Sequence, residues 1–475
     1  MDTAMDTARV KQFINEWIEQ NKGEFIDCAE YIFDNPELGM QEFKAVKILT
    51  DLAAKHGFKV ETGVAGMPTA FVATYGGGKP VIAFSVEYDC LPGLSQKVSP
   101  AKDPVIEGAP GHGCGHNLLG TTALEAGIAF RYAMEKFALT GAIKMFGTPA
   151  EETCIGKPFM ARAGLFDDVD AFLDWHPSLD NTMVNKSSNA YFNKYYHFKG
   201  KTAHGNSPWN GRSALDACVL MGHAAEILRE HVKPGIEGAA TFNTFNYTFS
   251  DVGPEFPSVV PDKSTIWFVG RFSSTDVMSD AMERLDKCAE GAALATGTTV
   301  KSELVTAIHE KIPNDTLAQV VHDNYLAFGQ LPITEEEHEF AKGLQKNAGL
   351  EPAGIVQGEL PPSQQDTYVS DNSEYSWIAP TAMFLPAIYP GPLHHWTITA
   401  TSGSSIGKKA IGYTAKILAN SAVDLIANPD VLAAAQEELK KRLGGHSYKS
   451  LIPDEISPPL DANKQIMEKY KTRSE

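Results

Sequence analysis

The chain has 475 residues, of which 43% are hydrophobic and 21% are charged, and its formal net charge is −18 at pH 7. At roughly 150 residues per domain, this length predicts two or three compact units of a globular protein. The acidic balance disfavours binding to nucleic acid or to an anionic membrane surface, because both carry negative charge. The chain lacks a signal-peptide pattern and an apolar run of roughly 18 residues, and its six cysteines are widely spaced, so we expect a cytoplasmic protein without membrane contact.

Strands and helices alternate along the first part of the chain. Helical spacing of apolar residues covers positions 9–57, with a turn at 35–39. Further on, the predicted strands are 70–75, 81–86, 142–147 and 169–175, and the helices between them are 117–137 and 157–163. This alternation predicts an α/β fold with a mostly parallel central sheet and helices on both faces.

The pattern changes near residue 187. The segment that follows carries predicted strands at 190–199, 240–250 and 264–272 and predicted helices at 212–231 and 278–296. We therefore expect a smaller α+β domain over residues 188–305, inserted into a larger domain made of residues 1–187 and 306–475. The second part of the larger domain carries helices at 315–328, 335–348 and 404–427 and a strand at 381–385.

Four short motifs place metal-binding side chains beside predicted strands or at the start of a helix. They contain Cys114 and His116, Glu151 and Glu152, His176, and the pair His394 and His395. Each motif alone could also have a purely structural role. The four would then be a tight turn, a solvated acidic turn, a core histidine and a surface His–His turn. Because carboxyl ends of parallel strands meet at one edge of a sheet, the four motifs together indicate one shared site.

The ligand types restrict the metal. A mixture of thiolate, imidazole and carboxylate suits Zn²⁺ or another late first-row ion, and Mn²⁺ where carboxylates dominate. No zinc-finger spacing is present, which favours a catalytic over a purely structural site.

These segments carry a family resemblance that spans nearly the whole chain. Residues 111–117, 147–152 and 174–177 with His394 resemble the dinuclear metallo-amidohydrolases of the aminoacylase and carboxypeptidase superfamily. The subfamily is that of N-acyl-amino-acid amidohydrolases and plant auxin-conjugate hydrolases, and segments 35–39, 87–92 and 260–262 resemble it too.

The resemblance implies a function and a set of site residues. Two divalent ions per chain, Zn or Mn, would be held by Cys114, His116, Glu152, His176 and His394. Glu151 would be the general base, and the reaction would hydrolyse an amide bond of a small N-acyl amino acid or dipeptide-like substrate. The chain departs from the family pattern at Asn117 and at His394-His395-Trp396, so either histidine could be the ligand, and we favour His394.

The same resemblance makes the inserted domain a lid that also mediates dimerisation. His204 would stabilise the oxyanion, often across a dimer, and Arg271 would bind a substrate carboxylate. A homodimer or a heteromer with a related subunit is expected, with a carboxylic acid and an acidic amino acid as products. Two alternatives remain open: a non-catalytic partner subunit of a heteromeric hydrolase, and a thiol enzyme that uses Cys114 as its nucleophile.

Overall fold

The structure, a computed structural model, describes residues 6–184, 186–235, 243–358 and 368–471. The helices of this part of the chain are α1 (Thr7–Asp34), α2 (Phe43–Lys55), α3 (His116–Phe137), α4 (Gly156–Arg162), α5 (Ala214–Arg229), α6 (Thr275–Thr296), α7 (Asp315–Phe328), α8 (Glu335–Asn347), α9 (Ser373–Ser376), α10 (Trp396–Ser402), α11 (Ser405–Ala427), α12 (Pro429–Leu443) and α13 (Lys464–Lys471). The strands are β1 (Lys59–Thr62), β2 (Phe71–Gly77), β3 (Val81–Val86), β4 (Gly141–Gly147), β5 (Ala171–Trp175), β6 (Thr182–Val184), β7 (Ala190–Lys199), β8 (Thr244–Asp251), β9 (Lys263–Phe272), β10 (Thr299–Ile308) and β11 (Thr381–Leu385).

The larger sheet has seven strands in the order β1-β2-β4-β3-β5-β11-β6. Its four central strands, β4, β3, β5 and β11, are mutually parallel, and the peripheral strands pair in the antiparallel sense. A parallel arrangement requires crossover connections, which α3 and α4 provide between β3, β4 and β5. The carboxyl ends of the four central strands therefore lie along one edge.

Both faces of this sheet are covered. On β3, Ile82 and Phe84 pack into a core shared with α1, α3 and α11, whereas Val81 and Ala83 pack into a second core shared with α4. The continuous apolar run of this strand is what burial on both faces requires. The structure thus confirms the predicted α/β fold with a mostly parallel sheet.

The smaller sheet has four antiparallel strands in the order β10-β7-β9-β8. Helices α5 and α6 pack with its buried aromatic side chains, among them Phe192 and Phe268, in a separate core. This layered α+β unit agrees with the fold class predicted for the inserted segment. Its last strand continues to Ile308, past the expected boundary at residue 305.

Several elements were not predicted. Strands β1 and β6 have only four and three residues, and the first part of β10 is exposed, so it shows no apolar alternation. Helix α12 was also missed. Of the predicted strand 240–250, residues 240–242 lie outside the described residues and the strand begins at Thr244. Among the described helices, none combines the length and the hydropathy needed to span a membrane.

Candidate metal centre and active site

The four motifs meet at the carboxyl edge of the large sheet. Glu87 directly follows β3, Glu151 and Glu152 come shortly after β4, and His176 follows β5. His394 lies in the loop between β11 and α10. Because β3, β4, β5 and β11 are the four parallel strands, chain connectivity alone brings these side chains to one edge.

Cys114 is common to two groups of possible ligands. Cys114, His116 and His176 form one group, and Cys114, Glu152 and His394 form the other; within each, the ligand atoms lie within 4.8 Å of one another. The Cys114 Sγ atom is 3.3 Å from His176 Nε2, and His394 Nε2 is 3.2 Å from Glu152 Oε2. A thiolate between two such groups can bridge two ions.

Gly115 makes this arrangement possible at the start of α3. Its φ of 80° lies in the left-handed region, and a Cβ atom at this position would stand 1.8 Å from the Tyr389 hydroxyl. A larger residue would therefore be excluded both by backbone strain and by collision. The turn brings Cys114 and His116 to the same space.

Hydrogen bonds fix the orientation of two imidazole rings. His116 Nδ1 donates to Asp89 Oδ1 over 2.9 Å, and His176 Nδ1 donates to the carbonyl oxygen of Pro177 over 2.7 Å. Each ring then presents its Nε2 atom as a lone-pair donor, which is the usual arrangement of metal-binding histidines. The other carboxylate oxygen of Asp89 accepts the backbone N–H of Glu152 over 3.0 Å.

The turn with the two glutamates is held at both ends. Ala150 and Cys154 adopt left-handed φ values of 56° and 55°, a conformation that costs of order 1–3 kcal/mol for a residue other than glycine. The buried Glu42 accepts the Ala150 backbone N–H over 2.8 Å, which opposes relaxation of the turn. Strained backbone of this kind concentrates at functional sites because the surroundings must impose it.

Burial and mutual charge shift the acid–base properties of the site. Burial alone would raise the pKa of the Cys114 thiol, but the adjacent imidazoles of His176 and His116 hold it well below its ordinary value. Burial, together with the neighbouring Glu87 carboxylate, raises the pKa of Glu151 well above its usual range. Burial and the nearby Cys114 raise the pKa of Glu152 to about 7. Acidic groups are thus concentrated where a cation would relieve their repulsion.

The residues fit a divalent metal. His116 Nε2 and Glu152 Oε1 are buried and have no hydrogen-bond partner among the described residues. Unpartnered buried polar atoms are costly unless another partner, such as an ion, satisfies them. The sulfur, nitrogen and oxygen donors present are those that Zn²⁺ and Mn²⁺ accept.

The structure distinguishes the two neighbouring histidines. His394 has a left-handed φ of 59°, and its side chain points to Glu152. Hydrogen bonding to Cys114 and Glu152 raises the pKa of His394 to about 10. His395 instead caps α10, where its Nδ1 contacts Thr397 Oγ1 at 3.0 Å. Only His394 of this pair belongs to a possible ligand group in the described part of the chain.

A cavity of about 480 Å³ opens onto this centre. Glu151, Glu152 and His394 line it from the large sheet, and Arg271 and Tyr191 line it from the small sheet. His204 is exposed, lies in a loop of the inserted segment, and is not among the lining residues described. The predicted substrate-binding arginine thus faces the centre of its own chain, whereas the predicted oxyanion donor does not.

Three buried residues beside the candidate metal centre could not be assigned a role from the sequence: Glu87, Lys157 and Asp371. Lys157 Nζ lies 2.7 Å from Glu87 Oε1 and also contacts Asp371 Oδ1. Glu87 Oε2 in turn lies 3.7 Å from His116 Nε2. The position of Glu87 directly after a fully buried strand was the available signal, since ligands of parallel sheets bind there.

The chain is similar over most of its length to a known hydrolase of amide bonds. One subunit of the p-aminobenzoyl-glutamate hydrolase of Escherichia coli (strain K12) is 34% identical over 481 residues, which cover 94% of this chain and 98% of that protein. The chain belongs to the amidohydrolase family of this protein. The motifs Glu87-Tyr88-Asp89, Cys114-Gly115-His116-Asn117 and Leu393-His394-His395-Trp396 resemble this hydrolase in particular.

Two further proteins are similar to this amidohydrolase. The Xaa-Arg dipeptidase of Mus musculus is 29% identical over 93% of this chain and 94% of that protein. The crystal structure of a dinuclear metal-binding peptidase of the M20 family from Bacillus subtilis has the same fold, with a TM-score of 0.54 at 16% identity, over 85% of this chain and 98% of that one. No protein-family model matches the chain.

The predictions of family and enzyme class are therefore confirmed. The protein is a hydrolase of this amidohydrolase family. Three groups of side chains among the described residues could each hold a metal ion. The fold includes a smaller α+β unit built on a second, four-stranded sheet.

Proposed function

We propose that this amidohydrolase uses two divalent ions to hydrolyse N-acyl amino acids whose amino acid is acidic, such as an aromatic acyl-glutamate. One ion would be held by Cys114, His116 and His176, and the other by Cys114, Glu152 and His394. The observation that carries this proposal is the membership of Cys114 in both ligand groups. Thiolate and imidazole suit Zn²⁺, and the carboxylate also admits Mn²⁺.

Glu151 is the proposed general base. It lines the cavity, and its Oε2 atom lies 3.7 Å from His116 Nε2, so its carboxylate borders both the ligand groups and the substrate space. Bound divalent ions would supply Lewis acidity and a nucleophile available near neutral pH. Glu151 then accepts the proton of the attacking water and returns it to the leaving amine. This two-way proton transfer is the role of a general acid–base group.

The cavity suggests which substrate parts bind where. Arg271 brings a guanidinium fork, which suits a carboxylate of the amino-acid half. Tyr191, Met383 and Leu385 offer aromatic and apolar surface, which suits an apolar or aromatic acyl group. The related hydrolase of Escherichia coli is named for p-aminobenzoyl-glutamate, a molecule with both features. We therefore propose that substrate class for this chain.

The inserted segment, residues 188–305, is the proposed lid and dimerisation domain. In the described part of the chain, strand β8 lies at the edge of the small sheet, where strands can pair with another chain. The neighbouring helix α5 exposes Val219 and Ile227, which are 54% and 57% accessible. We propose that two chains associate through this surface, and that His204 of each then contributes to the oxyanion site of the other.

An assay of the purified, metal-loaded protein tests the proposal. We expect turnover of p-aminobenzoyl-glutamate and other acyl-glutamates, and loss of turnover with a chelator that is reversed by Zn²⁺ or Mn²⁺. The Glu151→Gln variant is the blank for contaminating hydrolases. Preference for Xaa-Arg dipeptides would refute the acidic substrate class. Turnover that resists metal removal but is abolished by thiol alkylation would instead support the Cys114 thiol enzyme.

A further inference from the structure

Glu87 stands beside the ligand groups with its two carboxylate oxygens in different surroundings. Its side chain is buried, and it directly follows β3. The Oε1 atom lies 2.7 Å from Lys157 Nζ. The Oε2 atom faces His116 Nε2 at 3.7 Å. Glu87, His116 and Glu151 form a third group whose ligand atoms lie within 4.8 Å of one another.

Lys157 holds this carboxylate in place. The lysine is fully buried, its ammonium contacts Asp371 Oδ1 as well as Glu87, and its backbone N–H donates to Asp371 Oδ2 over 3.1 Å. The ammonium is therefore anchored from a second side. Two carboxylates share one ammonium here, so a cation on the free side of Glu87 would compensate the remaining negative charge.

The separation of the atoms fits two ligands of one ion. Two atoms that each lie about 2.1 Å from the same ion are roughly 3 to 4 Å apart. His116 Nε2 has no hydrogen-bond partner among the described residues, so its lone pair is available. One nitrogen lone pair binds one ion, which means that Glu87 would join the ion already assigned to His116.

Glu87 and Glu151 lie near the same nitrogen atom but differ in their access to the cavity. Both carboxylates approach His116 Nε2 to 3.7 Å. Of these two residues, Glu151 lines the cavity and Glu87 does not. Glu151 is thus accessible to substrate and to the attacking water, whereas Glu87 is enclosed by protein.

We propose that Glu87 is a further ligand of the ion held by Cys114, His116 and His176, and that Lys157 positions it from the buried side. This inference rests on the proposed dinuclear function. With this assignment, each ion would have one carboxylate ligand. Glu87 would bind the ion held by His116 and His176, and Glu152 would bind the ion held by His394. Cys114 would belong to both ligand groups.

Metal content of the Glu87→Gln variant tests this role without reference to activity. Metal-loaded protein is dialysed against a chelator series, and metal per chain is measured by elemental mass spectrometry. The unmodified protein should retain two ions. Glu87→Gln should retain about one, with affinity for the other reduced by at least about 10–100-fold, the loss typical of even an indirect ligand contact. Glu87→Asp keeps the negative charge, but its side chain is shorter by one methylene group. It should therefore lower the affinity for the same ion.

A double variant separates ligation from charge balance. Glu87→Gln also removes one of the two carboxylates that contact Lys157, which could weaken metal binding indirectly. If Glu87 is a ligand, Glu87→Gln combined with Lys157→Met should still lose one ion, with the fold verified by circular dichroism. Recovery of two ions in the double variant would overturn the inference. Retention of two ions with unchanged affinity in Glu87→Gln and Glu87→Asp would overturn it as well. Failure of the unmodified protein to bind two ions would refute the proposed function itself.

Discussion

Asp89 and His116 are joined by a hydrogen bond of 2.9 Å between two fully enclosed side chains. The same carboxylate receives the backbone N–H of Glu152 through its second oxygen. Asp89 therefore fixes the ring of one proposed ligand and the backbone of another. The two ligands belong to different groups, so a single side chain sets the position of one group relative to the other.

Replacement of Cys114 should affect both ions. A serine hydroxyl does not ionise at neutral pH as a metal-bound thiol does, so Cys114→Ser should sharply lower metal content. Elemental analysis should find well below one ion per chain. Cys288→Ser, on α6 of the inserted segment, is the matched control and should retain the parental content. Normal metal content in Cys114→Ser would exclude a bridging thiolate.

Substitution of Glu151 should reduce turnover, whereas substitution of the neighbouring Glu152 should reduce metal content. Glu151→Gln should keep its metal but lose about 10²–10⁴-fold in turnover, because an amide cannot accept the proton. Glu152→Gln should lose one ion, because the amide removes the charge of a ligand. Metal analysis and kcat measured on the same preparations test the division. Equal loss of metal in both variants would contradict it.

His204 should act in the partner's site. His204→Ala should lower kcat by about 10²–10³-fold, the usual cost of a removed oxyanion donor, with unchanged metal content. A mixture of His204→Ala and Glu151→Gln protein should regain activity, because one of the two sites in a mixed dimer holds both intact residues. His446→Ala removes an exposed histidine elsewhere and serves as the control. No regain after subunit exchange shown by native mass spectrometry would argue against a shared site, and a fully active monomer would exclude it.

The stability of the fold should depend on pH through Glu125 of α3. This side chain is fully buried, neither carboxylate oxygen has a hydrogen-bond partner among the described residues, and burial raises its pKa well above the usual range. Above the ordinary glutamate pKa, the unfolded chain releases a proton that the folded chain keeps. Stability is therefore lost as pH rises.

Glu125→Gln cannot titrate and should remove this loss. Its gain in free energy of unfolding should be about 1.4 kcal/mol per pH unit above roughly pH 4.3, for as long as the folded carboxyl stays protonated. Urea unfolding at several pH values measures the difference from the parent. The gain should vanish near pH 4. The exposed Glu437→Gln variant should show no such trend, and a gain independent of pH would contradict the explanation.

Local sequence patterns were sufficient for the four parallel strands and β2 of the large sheet, and for most of the candidate site. Strand β3 was recognisable as a continuous apolar run, and Glu151, Glu152 and His176 could be placed because they follow strands. The environment of Glu87 could not be predicted, because it depends on Lys157 and Asp371, which are brought together only by tertiary packing. The same holds for His204, whose distance from the cavity depends on how the inserted segment sits on the large sheet.

The choice between His394 and His395 shows a similar limit. The two residues are adjacent and chemically identical, so composition and spacing cannot separate them. The backbone separates them, since His394 takes a left-handed conformation and His395 is the N-cap of α10. Both features arise from the loop after β11 rather than from a local propensity of histidine.

The two connections between the large and small sheets run side by side. Ser188, ahead of β7, accepts a hydrogen bond of 3.3 Å at its Oγ atom from the backbone N–H of Lys311, which follows β10. Adjacent connections allow rotation about one shared hinge axis. Arg271 lies on the small sheet and Glu151 follows a strand of the large one, so a rotation at this hinge would change the distance between the proposed carboxylate-binding group and the proposed base. Closure would therefore select substrates by the distance between their carboxylate and their scissile amide bond.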